Sequence, residues 1–87
     1  MVRYHICFYG QVQNVGFRYR AMQLANPLGL TGWVKNVEDY VEMEVQGPEA
    51  VIRQLIDSLQ EDAWIGIDDI HMDTIPLKEE KKFSLAW

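Results

Sequence analysis

Between Tyr9 and Phe17 the chain changes its period. Upstream, Val2 to Tyr9 alternates, with Tyr4, Ile6 and Phe8 on one side and Arg3, His5, Cys7 and Tyr9 on the other. That is the two-residue repeat of a β-strand. Downstream, Phe17, Ala21, Leu24, Ala25 and Leu28 recur at i, i+4, i+7, i+8 and i+11, one apolar stripe of an α-helix. The change is made within Gly10-Gln11-Val12-Gln13-Asn14-Val15-Gly16-Phe17-Arg18. A strand therefore passes into a helix, starting at about Val15 or Gly16, through a short glycine-flanked loop. Such a junction leaves several backbone N–H groups without partners. The helix dipole adds partial positive charge in the same place. Arg18 falls in the first helical turn, where its forked guanidinium can grip a phosphoryl group with paired hydrogen bonds. The combination is an anion site.

The later patterns fill out a fold. Pro27 lacks an N–H and disfavours helical geometry at Asn26, so the first helix ends there, with Gly29 as a C-terminal stop. Leu30 to Val37 and Tyr40 to Gln46 read as strands joined by the tight polar turn Glu38-Asp39, a hairpin. Val41, Met43 and Val45 alternate with Glu42, Glu44 and Gln46, giving a sheet with one wet face. Gly47-Pro48-Glu49 reads as a helix start with glycine at the cap, proline at the first position and an acid in the first turn. Ile52, Leu55, Ile56 and Leu59 form the buried stripe of that helix, which closes at Gln60-Glu61-Asp62. Ile67 to Ile75 is a fourth strand in which Ile70 and Met72 share a face. Pro76 to Lys82 is a charged connection. Phe83-Ser84-Leu85-Ala86-Trp87 is a short final strand with Phe83, Leu85 and Trp87 alternating. The order βαββαβ plus a terminal strand describes an α+β, ferredoxin-like sandwich, with two helices on one face of an antiparallel sheet. At 87 residues the chain has room for one domain, 1–87.

Two blocks also resemble a known family. Gly10-x-Val12-Gln13-x-Val15-x-Phe17-Arg18 is similar to the signature of the acylphosphatases. Leu28-Gly29-Leu30-Thr31-Gly32-Trp33-Val34-Lys35-Asn36 matches their second motif at the expected spacing. The resemblance implies that Arg18 binds the phosphoryl group and Asn36 orients the attacking water. It maps the phosphate cradle onto Gln13, Asn14, Val15, Gly16, Phe17 and Arg18. It also implies a small-molecule acyl phosphate as substrate, inorganic phosphate as product and no cofactor. The chain departs from the family pattern twice. Asn14 stands where the family has glycine, and asparagine tolerates positive φ better than most residues. The turn after Asn36 is shorter, since Tyr40 follows Asp39 directly.

The residues themselves narrow the chemistry. No Cys, His and carboxylate cluster has metal-ligand spacing, and no Ser, His and Asp set declares itself. His5 and His71 fall in strands without an evident partner. The reaction must then need neither a metal nor a strong base. Hydrolysis of an acyl phosphate meets that limit, because its carboxylate leaving group departs without protonation. The reaction needs phosphoryl charge stabilised and a water placed. Arg18 and the loop amides serve the first need. Asn36, near the end of its strand, serves the second, since its amide accepts from and donates to one water. Trp33 reads as a sheet packing residue and Lys35 as solvent-facing.

Charge argues against other classes. RNA-recognition domains share this element order, but the net charge of −5 runs against a partner whose affinity comes from basic residues. A non-catalytic anion-binding module on the same fold is the second reading. Cys7 is the one cysteine, so no intrachain disulfide forms, and it sits mid-strand as a small packing residue. No leader-like start and no membrane-length apolar run is present. A monomeric cytoplasmic protein that binds neither membrane nor nucleic acid is the expectation.

Overall fold

Alternation decides which face of each strand is buried. In the computed structural model, which describes residues 1–87, the chain runs β1 (Val2–Gln11), α1 (Phe17–Ala25), β2 (Thr31–Val37), β3 (Tyr40–Gly47), α2 (Glu49–Gln60), β4 (Gly66–Ile75) and β5 (Phe83–Leu85). Tyr4, Ile6 and Phe8 of β1, Val34 of β2, and Val41, Met43 and Val45 of β3 are all buried on one face. Both helices cover it, α1 with Phe17, Ala21 and Ala25 and α2 with Ile52, Leu55, Ile56 and Leu59. Each large side chain buried this way is worth about 1.5–3 kcal/mol. That matters most for α1, whose 9 residues are too few to hold a helix alone in water.

The strands lie in the order β4-β1-β3-β2-β5. The first four pair antiparallel, as the βαββαβ reading requires, while β5 joins β2 in parallel, Gly32 opposite Phe83 and Val34 opposite Leu85. The sheet is therefore mixed at one edge. Because β4 and β5 sit at opposite edges, the connection Pro76 to Lys82 must cross the whole sheet.

Several boundaries differ from the sequence reading for local reasons. β1 continues past Tyr9 to Gln11, because a register shift between Tyr9 and Gly10 lets it keep pairing with β4. Gly10, at φ +125, makes that possible. A Cβ there would run into the Gly66 carbonyl oxygen and the Asp68 backbone nitrogen. α2 is capped by Pro48, whose ψ of 136 is extended, and Glu49 is its first helical residue. Gly47 is not the cap, because it is still paired with Val2 in the sheet. β5 stops at Leu85, which leaves Trp87 beyond the sheet and exposed.

Candidate active site

Two buried side chains anchor the loop after β1. Val12 plugs the core from one end of it, and Phe17 from the other, tilted against Phe8 at a ring-centroid distance of 4.9 Å. Between these anchors the backbone turns left-handed twice, at Asn14 (φ 61) and at Gly16 (φ 80). Asn14 thus adopts the conformation that a glycine would supply, in the region asparagine tolerates. Gly16 caps α1 and contributes no side-chain hydrogen bond. The first helical hydrogen bond is donated by Arg20 N–H to the Gly16 carbonyl at 2.9 Å. The N–H groups of Phe17, Arg18 and Tyr19 precede it. Those of Gln13, Asn14, Val15 and Gly16 donate to no backbone carbonyl. No acid occupies the first turn of α1. This end of the helix is rich in donors and carries no negative charge of its own.

Arg18 sharpens that polarity. Of the four arginines, Arg3 is paired with Glu44 and Glu80, Arg20 with Asp62 and Arg53 with Glu49. Arg18 makes no ion pair, in a chain with 13 acids. Its guanidinium carbon lies over the Trp87 ring, 4.6 Å from the centroid. A ring beneath the guanidinium face leaves the in-plane N–H donors free for an anion.

Asn36 completes the group. It lies near the end of β2 on the same face as buried Val34, where the core gives way to the loop, and it is exposed. One cavity of about 190 Å³ is lined by Val12, Asn14, Gly16, Phe17, Arg18, Tyr19 and Asn36. A larger one, about 660 Å³, lies at the other end of the sheet beneath Leu77 to Lys81 and beside Gln46. Its lysines and glutamates balance one another, so the smaller cavity is the one suited to an anion. Of the residues the sequence placed in the cradle, Asn14, Gly16, Phe17 and Arg18 line the cavity, whereas Gln13 and Val15 do not. Val15 packs against the core. The Gln13 side chain reaches across to the β2–β3 turn, where Nε2 donates to the carbonyls of Glu38 and Tyr40 at 2.8 Å each.

The family model for acylphosphatase matches residues 4–85. The chain belongs to the acylphosphatase family. Among its relatives, the acylphosphatase of Pediococcus pentosaceus is 42% identical over 86 residues, covering 95% of this chain and 96% of that one. The acylphosphatase of Clostridium beijerinckii is 38% identical, with both chains covered in full. The fold matches the crystal structure of the Bacillus subtilis acylphosphatase with a TM-score of 0.92 at 32% identity, again over the full length of both chains. The two blocks that carry the acylphosphatase resemblance are those the fold brings to one cavity.

The remaining reactive groups lie elsewhere. His5 and His71, which showed no partner in sequence, each have a carboxylate, His5 with Glu42 at 2.6 Å and His71 with Asp69 at 3.0 Å. His5 shares the face of the sheet opposite the helices with Cys7, whose thiol is pushed up by burial and by Glu42, making it a poor nucleophile. Lys35 is not simply solvent-facing, since it lies 3.6 Å from Glu42 and over the Trp33 ring. No group of three His, Cys, Asp or Glu side chains is arranged to hold a metal. No helix is long and apolar enough to cross a membrane.

Proposed function

We propose that Arg18 and Asn36 are the working pair of a hydrolase that splits the carboxylic–phosphoric anhydride of a small acyl phosphate. The observation that carries the reading is the unpaired Arg18 beside a row of unpartnered loop N–H groups, with Asn36 on the wall of the same cavity. The phosphoryl oxygens take hydrogen bonds from Arg18 and from the loop amides between Asn14 and Arg18. These donors are fixed by the Val12 and Phe17 anchors, so they need no reorganisation as negative charge develops. Asn36 accepts a hydrogen bond from the attacking water and holds it in line with the leaving group. The water oxygen forms the new P–O bond while the bond to the acyl oxygen breaks. Its electron pair leaves with the carboxylate, which needs no proton, and the water's proton passes to the phosphate released. Support for the reading comes from family membership and from the coincidence of both motifs at one cavity. It takes the chain to act as a monomer in the cytoplasm, the charge balance of −5 disfavouring nucleic acid.

The test is hydrolysis of an aromatic acyl phosphate by the purified protein, with Arg18→Ala and Asn36→Ala measured beside it. Removing one preorganised donor from a developing anion costs about 10²–10³ in kcat, and Arg18→Ala should lose at least that together with protection by inorganic phosphate. Asn36→Ala should lose turnover on a similar scale and keep phosphate protection. Substantial turnover in both variants would sink the pairing.

A further inference from the structure

We infer that Gln13 is a positioning residue that braces the β2–β3 turn and thereby fixes Asn36 relative to the phosphate loop. The inference rests on reading Arg18 and Asn36 as the working pair. Its basis is a contact between segments 25 and 27 residues apart, in which Gln13 Nε2 donates to the Glu38 and Tyr40 carbonyls at 2.8 Å each. A glutamine amide has two N–H donors, and both are used. The side chain has no donor left for a phosphoryl oxygen, so its contribution to the site must be made through what it holds.

What it holds is a turn that has reason to move. The two acceptors straddle Asp39 in a connection of two residues between Val37 and Tyr40, the last pair of the hairpin. Glu38 sits in that connection with φ 51, a left-handed conformation unfavourable for a side chain of its kind. Surrounding structure has to over-determine such a residue for it to persist. Gln13 meets that need with a hydrogen bond to the carbonyl of Glu38 itself and another just beyond it. Asn36 lies immediately before Val37, and its backbone position is set by pairing with Val41. No side-chain hydrogen bond holds its amide. Its placement depends on the end of the hairpin staying where it is. Gln13 belongs to the loop that ends in Arg18, so one side chain ties the phosphate side of the site to the water side. This chain needs the tie because its turn is short and lacks a glycine.

The test uses the full chain with Gln13→Met, which keeps length and bulk and removes both donors. Turnover of an aromatic acyl phosphate gives kcat, and competition by inorganic phosphate gives the affinity of the cradle. A displacement near 1 Å at a reacting group can cost up to roughly 100-fold, and we expect kcat to fall roughly tenfold with the phosphate inhibition constant within about twofold of the parent. Adding Glu38→Gly, which makes the left-handed turn conformation free of side-chain strain, should restore most of the lost kcat. A parent-like kcat in Gln13→Met would overturn the inference. So would a phosphate constant that weakens in step with kcat, which would make Gln13 a phosphate ligand, or a double variant no better than Gln13→Met. Failure of the Arg18 and Asn36 reading shows in the parent and in those two variants, whereas failure of the brace shows only against an active parent.

Discussion

Arg18 places a positive charge at the positive end of a helix. Without an anion that arrangement is unfavourable by roughly 0.3–1 kcal/mol, and neither an acid in the first turn nor an ion pair offsets it. A phosphoryl group relieves both the dipole and the unpartnered amides at once. Trp87 is what keeps the guanidinium in place meanwhile, with its ring under the Arg18 Cζ. A cation–π contact at an exposed site is worth about 0.5–1 kcal/mol. Trp87→Ala should therefore raise the phosphate inhibition constant about two- to fivefold, and an unchanged constant would make the ring a bystander. Motif and period single out Arg18 and Asn36, which the fold brings to one cavity, and the tolerance of asparagine for positive φ fits Asn14 at φ 61. The sequence did not reveal Trp87, which alternation placed in a strand. Its contact depends on β5 docking parallel to β2, which no local pattern encodes. The Gln13 brace was hidden for the same reason, its acceptors being backbone carbonyls of a distant turn.

Among the elements, alternation makes the strands legible, because it marks both faces. Where an element ends was harder to read. Pro48 suits either side of a helix start, and only the pairing of Gly47 with Val2 decides that the strand runs on and the proline becomes the cap. On the polar face, charge pairing across strands does what apolar contact does on the other. His5 on β1 and Glu42 on β3 meet at 2.6 Å, with Lys35 on β2 at 3.6 Å from the same carboxylate. The hydrogen bond to His5 holds the Glu42 carboxyl below its ordinary value of 4.5, against partial burial, and the charges of His5 and Lys35 add to the pull. Because the folded value is the lower one, the unfolded chain binds more protons in that window. The pair's stabilisation is present above pH 4.5 and is lost as pH falls through the folded value. Urea midpoints measured from pH 7 down to about pH 3, across the carboxylate range, should fall less steeply in Glu42→Gln than in the parent. Parallel slopes would show that the pair contributes nothing.

At the scale of the molecule, strand order imposes a crossing. With β4 and β5 at opposite edges, Pro76 to Lys82 passes over the polar face at the end far from the phosphate loop, and β5 then runs back to bring Trp87 to Arg18. Arg3 pins the crossing. It bonds Glu44 from beneath and Glu80 from the crossing segment, while Gln46 Oε1 accepts from the Lys78 N–H at 2.8 Å. Alternation assigned Arg3 to the polar face correctly but could not show that the face is covered there, leaving Arg3 only 1% exposed. Burial alone would lower its pKa, yet the hydrogen bonds and charges of Glu80 and Glu44 more than compensate. Arg3→Leu would leave two carboxylates facing each other under the crossing. Removing one partner of a buried ion pair costs about 3–5 kcal/mol. Glu44 and Glu80 keep 24% and 19% of their side-chain surface in water, so roughly 2–3 kcal/mol is the fitting expectation here. In a chain of this size that lowers the melting temperature by about 10–20 °C. Adding Glu44→Gln to Arg3→Leu removes one of the two stranded charges and should recover part of the loss. If the double variant melts no higher than Arg3→Leu, the cost comes from lost packing of the guanidinium stem and not from unpaired acid. If the loop between Val12 and Phe17 binds phosphate as proposed, stabilisation by inorganic phosphate should persist in either variant, because that loop lies at the other end of the sheet and is anchored by the buried Val12 and Phe17.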